Sequence, residues 1–212
     1  MSKFQTQRKA SEHIRDGQHR EDTVTQFSVQ ELTQRTWPDF VKIVEKHNGV
    51  WGGCWCVTFH HPTGKGTGTA AGNKALKEKL VEEGQSHAAL VYEGSQVVGW
   101  CQFGQPAEIP GRMSAYDRLG LAQPDWRIPC FFVDRDRRKS GVAKAALTGA
   151  LRIIASKGGG KVDGYPISIR GKSYSNSFVW GGTETMFTKA GFKPVAHLGT
   201  SKLVMRKQVR SR

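Results

Sequence analysis

The run Ile128-Pro129-Cys130-Phe131-Phe132-Val133, followed at once by Asp134-Arg135-Asp136-Arg137-Arg138-Lys139-Ser140-Gly141-Val142-Ala143, constrains this chain more than any other stretch. It describes a buried strand that empties into a basic, glycine-containing turn and then a helix. The first amides of a helix have no intrahelical partner, and the helix dipole adds about half a positive charge at that end, so anions collect there. Gly141 lets the main chain approach a ligand or take a positive φ, while Arg138 and Lys139 supply charge and Ser140 a hydroxyl donor. A diphosphate fits such a turn. Ala143, Leu147, Ala150, Leu151 and Ile154 then form an apolar stripe at helical spacing, and Gly158-Gly159-Gly160 ends the helix.

Arg138-Lys139-Ser140-Gly141-Val142-Ala143 resembles, in register, the signature of the GNAT acetyltransferase superfamily, in which a strand ending in Val-Asp leads to Arg/Gln-x-x-Gly-x-Gly/Ala. Lys139 stands where that family often has glycine, and Ala143 replaces the last glycine, an exchange the pattern allows. The likeness extends to both sides. Ala88 to Phe103 reads as two apolar strands joined by a Gly-containing hairpin turn. Lys161 to Ile167 looks like the next strand, Glu184 to Phe192 like the superfamily's last helix with its Ala-Gly-Phe ending, and Leu203 to Arg206 like the final strand. The resemblance spans roughly 27–206.

The order so read is strand, two helices, three strands, helix, strand, helix, two strands, and this alternation by itself argues for an α/β layer. The resemblance implies more: a GNAT-like α/β fold whose mixed central sheet, flanked by helices, is splayed open between its fourth and fifth strands, with acetyl-CoA in the opening. It also implies that backbone amides near Phe132 and Val133 pair with pantetheine and polarise the thioester carbonyl. Arg138, Lys139, Ser140, Gly141, Val142 and Ala143 would hold the diphosphate.

A hydrophobic content of 37% is enough for a core, so residues 23–212 are expected to form one domain. Residues 1–22 are polar and expected to be a flexible tail without chemistry. The apolar runs are strand-length, too short for the ~20 residues that cross a bilayer, and the polar start does not read as a secretory signal. A cytoplasmic enzyme with no membrane contact is the expectation. The +14 net charge lies wholly in Arg135 to Arg212, where 17 Lys or Arg face only Asp136, Asp163 and Glu184. Such a surface steers coenzyme A, with its diphosphate and 3′-phosphate, and leaves a nucleic-acid partner open for this basic half. The aromatic-basic pattern of single-strand recognition is missing. The resemblance is also compatible with a homodimer formed by exchange of C-terminal strands.

Between Trp37 and Lys46, Trp37, Phe40, Val41 and Val44 mark an amphipathic first helix with Pro38 near its start. Cys54-Trp55-Cys56 with His60 and His61 invites a zinc reading, but one intervening residue and no second pair do not make a structural zinc knuckle, so no metal is expected. Cys101 and Cys130 fall in apolar strands, where cysteine packs as a small hydrophobe. Trp51, Cys54 and Trp55 occupy the segment between the first two helices, which in the resemblance forms part of the acceptor pocket; they either wall that pocket or pack in the core. The Gly-rich run from His60 to Gly72 lacks G-x-x-x-x-G-K-[ST] and a preceding strand, and reads as a mobile loop able to close over an acceptor. Asn73 is expected to cap a helix through Glu83 with Leu76, Leu80 and Val81 inward.

The reaction implied is direct attack of a neutral primary amine on the acetyl thioester, sequential rather than through an acetyl-cysteine. Glu108 is the candidate base, or a water chain involving Asp125 or Tyr165. The tyrosine that usually serves as acid in the family is replaced by Phe187, and the asparagine many relatives carry before it by Trp180, with Asn176 and Ser177 out of register. Tyr165, Tyr174 or solvent would then serve as acid. A small amine is the expected acceptor. A tRNA-linked or protein amine is the alternative, as is a non-catalytic module that binds coenzyme A or RNA.

Overall fold

Seven strands form a single sheet in the order β1-β2-β3-β4-β5-β7-β6. They are β1 (Ser28–Glu31), β2 (His87–Glu93), β3 (Gln96–Gly104), β4 (Trp126–Val133), β5 (Gly160–Gly164), β6 (Lys193–Leu198) and β7 (Lys202–Val209). The helices are α1 (Trp37–Lys46), α2 (Ala70–Glu82), α3 (Ser114–Asp117), α4 (Val142–Ser156) and α5 (Glu184–Lys189). The computed structural model describes residues 27–168 and 180–212; the polar stretch 1–22, Tyr174, Asn176 and Ser177 lie outside the described residues. Every neighbouring pair of strands is antiparallel except β4 and β5, so the sheet is mixed, as expected.

The two faces of the sheet carry separate cores. Against one face, Val142, Ala146, Leu147, Ala150 and Ile154 of α4 meet Val91, Cys101, Ile128, Phe131 and Val162, with Phe187 and Phe192 closing the far end. Against the other, Phe40, Ile43 and Val44 of α1 and Trp55, Cys56, Val57 and Phe59 of the following loop cover Leu90, Trp100 and Cys130. A smaller cluster of Met113, Tyr116, Tyr165 and Val204 lies under α3. The fifteen-residue α4 is the longest described helix and has the most buried residues of any described helix.

Two local expectations are corrected. Thr69, not Asn73, caps α2: its hydroxyl accepts the Gly72 amide at 3.0 Å, one turn earlier than the asparagine could act. Asn73 instead donates to the Gly53 carbonyl at 2.8 Å and accepts from Thr67, tying the Gly-rich loop to the α1–α2 connection. The inward positions of α2 are Asn73, Lys77 and Val81, with Leu76 and Leu80 half-buried.

The sheet opens because of one residue in β4. Gly104 pairs with Arg127 and Gln102 with Cys130, so Phe103 alone faces Ile128 and Pro129, which makes a β-bulge. Proline has no N–H to give a ladder, and the bulge is where a central strand tolerates it. Pairing with β5 runs only through Trp126, Arg127 and Ile128, and ends at Gly164. Beyond the bulge, β4 has no neighbour on that side within the described strands. The Asp134 amide donates to the Val98 carbonyl at 2.8 Å. By strand alternation, Phe132 and Cys130 then pair with β3, whereas Phe131 and Val133 direct their N–H and C=O groups to the open edge.

Candidate active site

The open edge of β4 continues into the basic turn. After Val133 the chain makes a 3-10 turn, Arg135–Arg137, held by Asp134, whose side chain accepts the Asp136 amide at 3.1 Å. Lys139 has φ 65° and Gly141 φ 96°, and Gly141 begins α4 with no side-chain cap, which leaves the first helical amides open. Gly99 of β3 allows this close approach: a Cβ there would lie 2.6 Å from the Phe132 carbonyl oxygen and 2.7 Å from Val142.

A cleft of about 350 Å³ runs from this turn along β4. Phe132, Val133, Arg138, Lys139, Gly141, Val142 and Ala143 line it, with Trp51 on one side and Trp180, Gly182, Thr183 and Met186 on the other. The structure thus brings most of the turn residues named from sequence to one opening. Ser140 differs: its hydroxyl donates to the Arg137 carbonyl at 2.6 Å, and it borders an adjoining groove with Lys144 and Arg152.

The three acceptor-side candidates separate. Trp51 is half exposed at the cleft. Trp55 is buried against Trp37 and Phe40, with Lys74 over its ring at 5.3 Å, and belongs to the core. Cys54 hydrogen-bonds Thr58 at 2.9 Å and does not line the cleft.

The proton-transfer candidates also separate. Glu108 sits at the opposite end of β3 with both oxygens engaged: Oε1 lies 3.3 Å from His87 Nε2, and Oε2 accepts the Gln105 amide at 2.7 Å. Asp125 accepts the Lys161 amide at 2.6 Å, a turn contact. Tyr165 directly follows β5 at the point where the strands part. It is buried, its hydroxyl has no partner among the described residues, and burial pushes its pKa up.

A buried polar cluster that no sequence pattern marks lies under α2, away from the cleft lining. Lys77 is 1% exposed and donates to Ser86 at 2.6 Å; the Ser86 hydroxyl and the Gln102 amide lie 3.1 and 2.9 Å from His60 Nε2. His60 Nδ1 faces the Glu108 carbonyl at 2.9 Å and so carries a proton, which leaves Nε2 to accept from the Gln102 amide. Burial, then the Lys77 charge, push His60 down to about 3, and burial pushes Lys77 down to about 8. Cys56 accepts from Trp100 Nε1 at 3.3 Å, and the neighbouring Cys130 thiol, with help from Lys77, holds it below its ordinary value. Among the described residues no three His, Cys, Asp or Glu side chains converge as a metal site. No described helix is long and apolar enough to cross a membrane.

No protein-family model and no curated protein matches this chain. Solved structures do. A Corynebacterium glutamicum protein described as histone acetyltransferase HPA2 and related acetyltransferase is 18% identical with a TM-score of 0.52, covering 88% of this chain and 98% of its own. Mosquito arylalkylamine N-acetyltransferase like 5b is 11% identical with a TM-score of 0.51, over 86% of this chain and 100% of its own. A Desulfovibrio desulfuricans protein described as belonging to the GNAT family is 16% identical with a TM-score of 0.50, over 87% and 99%. The fold of this chain is the GNAT acetyltransferase fold.

Proposed function

We propose that this protein is an acetyl-CoA-dependent N-acetyltransferase that moves the acetyl group to a primary amine by direct attack. One observation carries the reading: the unpaired edge of β4, with Phe131 and Val133 facing outward, leads through the 3-10 turn to a helix N-terminus flanked by Arg138 and Lys139, and all of them line one cleft. That arrangement fits coenzyme A at both ends. A diphosphate suits open helical amides beside cations, and a chain bearing amide groups suits an unpaired strand edge, which it extends as an added strand. Neighbours of the same fold are acetyltransferases, which supports acyl transfer as the chemistry.

On this reading Gly141, Val142 and Ala143 give backbone donors to phosphate oxygens, and Arg138 and Lys139 give charge. Phe131 and Val133 align the acyl carrier, and an outward amide of β4 polarises the thioester carbonyl. The amine nitrogen forms a C–N bond to the carbonyl carbon as the C–S bond breaks, and the proton lost by nitrogen balances the one gained by sulfur. Tyr165, whose buried hydroxyl has no partner among the described residues, follows β5 where the strands part and is the proposed donor to the departing sulfur, although it packs with Tyr116 and Val204 and does not itself line the cleft. Glu108 is committed to His87 and the Gln105 amide, so its part is to hold the loop.

Acceptor-dependent release of coenzyme A thiol, measured with amines, polyamines, amino acids and peptides, tests this reading. Release that requires both acetyl-CoA and an amine is expected, and a Tyr165→Phe variant should lower kcat about tenfold or more with the acetyl-CoA KM unchanged. Absence of amine-dependent release across the panel would overturn it.

A further inference from the structure

Next to the cleft wall formed by Trp180 and Thr183, outside the residues that line the cleft itself, lie two cations that no described carboxylate meets. Lys202 opens β7, bridged through Ile167 to Thr183 of the cleft wall, and its Nζ lies 3.6 Å from the centroid of the Trp180 ring. Trp180 rests on Phe59 at 5.6 Å. Arg112 approaches from the β3–β4 connection: Gly111 donates to the Phe59 carbonyl at 2.8 Å, and Arg112 is held at φ 58° with its stem over Gly64. Neither side chain forms an ion pair or hydrogen bond among the described residues, and residues 169–179 contain no Asp or Glu.

These two charges repel each other. Burial first, and then the Arg112 charge, push Lys202 down to about 8, and the Cys130 thiol of β4 is the other ionisable group near it. Cys130 stands three residues before Val133, about 10 Å along the strand from the phosphate-type turn. The pair therefore lies at the acceptor end and not at the diphosphate end. A half-buried ammonium stacked on an indole, beside a second cation and without a counter-ion among the described residues, suits an anion whose arrival offsets the electrostatic cost.

We propose that Lys202 and Arg112 form a carboxylate subsite, so that the acceptor is a primary amine carrying a carboxylate, its apolar part lying against Trp180 and Phe59. The inference rests on the acetyl transfer proposed above. Arg112 offers a planar fork that matches a carboxylate, and Lys202 a point charge beneath it.

The test compares matched acceptors in which only the anion changes: β-alanine against β-alaninamide, and 4-aminobutyrate against 4-aminobutanamide and putrescine. Lys202→Met keeps the aliphatic stem and Arg112→Gln alters only an exposed head group, and acetyl-CoA binding is followed by calorimetry in the same preparations. The carboxylate members should be preferred about tenfold or more in kcat/KM, and each variant should bring that preference down to about threefold or less through KM, with kcat and the acetyl-CoA Kd unchanged. Normal acetyl-CoA binding with equal use of amides and carboxylates, with no carboxylate acceptor acetylated, or with an unchanged preference in both variants would overturn the subsite. Absence of acetyl-CoA binding would instead overturn the transferase reading beneath it.

Discussion

Lys46 Nζ lies 2.7 Å from Asp134 Oδ2, which joins the last turn of α1 to the first residue after β4. The same carboxylate caps the 3-10 turn that positions Arg138, and His47 Nε2 approaches it at 3.5 Å. Although burial opposes ionisation of Asp134, the hydrogen bond from Lys46 holds its carboxyl below its ordinary value. Asp134→Asn should raise the acetyl-CoA Kd about five- to tenfold, since the basic turn loses its tether while the cleft keeps its residues. Lys46 is half exposed, so Lys46→Met should cost less, about 0.5 kcal/mol or twofold. Calorimetry against unchanged far-UV circular dichroism checks both.

Lys77 of α2 is a fully buried cation with one hydrogen bond, to Ser86. Such a group costs desolvation that a single neutral partner does not offset. Lys77→Met, which fills the same space, should leave the melting temperature unchanged or raise it, whereas Lys77→Ala should lower it by opening a cavity under Phe40. Thermal unfolding of the two variants separates the charge from the packing.

Two histidines should give opposite pH dependences. The folded pKa of His60 is far below its ordinary 6.5, so the unfolded chain takes up a proton that the folded chain refuses, and stability falls as pH drops from 6.5 towards 3. Between pH 7 and pH 5 this amounts to about 2 kcal/mol. His87, placed between Glu31 and Glu108, is raised despite burial, so its contribution is full below 6.5 and is lost as pH rises through the higher folded value. Urea titrations at several pH values should show His60→Gln losing the acid-side decline and His87→Gln making it steeper.

Gly164 is the last residue of β5 paired with β4, and a Cβ there would overlap the Phe187 ring. Gly164→Ala should therefore destabilise by about 1–3 kcal/mol. Combination with Phe187→Leu should recover part of the loss, which a double-mutant cycle in denaturant would read as a coupling energy.

Much of this architecture could be read in the chain because local chemistry and tertiary placement agree. The apolar run into Asp134 and the glycine at 141 specify a strand, a turn and a helix start, and each lies within a residue or two of its expected position. The opening of the sheet was anticipated through resemblance, yet Pro129 states its cause: a residue without an N–H inside a central strand demands a bulge. What stayed hidden depends on contacts distant in sequence. Whether Trp51 or Trp55 faces the cleft is decided by how the α1–α2 connection folds back, with positive φ at Val50, Trp51, Trp55 and Cys56, which no periodicity encodes. Nothing in the local sequence marks Lys77 as buried, because its partner Ser86 and the nearby His60 come from other segments. Arg112 and Lys202 are ninety positions apart, and only the fold brings the two charges near each other.

The proposed seat of acetyl-CoA is the turn from Arg138 to Ala143 together with the open edge of β4. Calorimetric titration of acetyl-CoA into the wild-type protein, Arg138→Ala and Gly141→Glu tests it most directly. Saturable binding to the wild type is expected, weakened about tenfold by loss of the arginine and about a hundredfold or more by a carboxylate placed over the open helical amides, with all three proteins folded. Equal affinity for the three proteins, or no binding to the wild type, would contradict it.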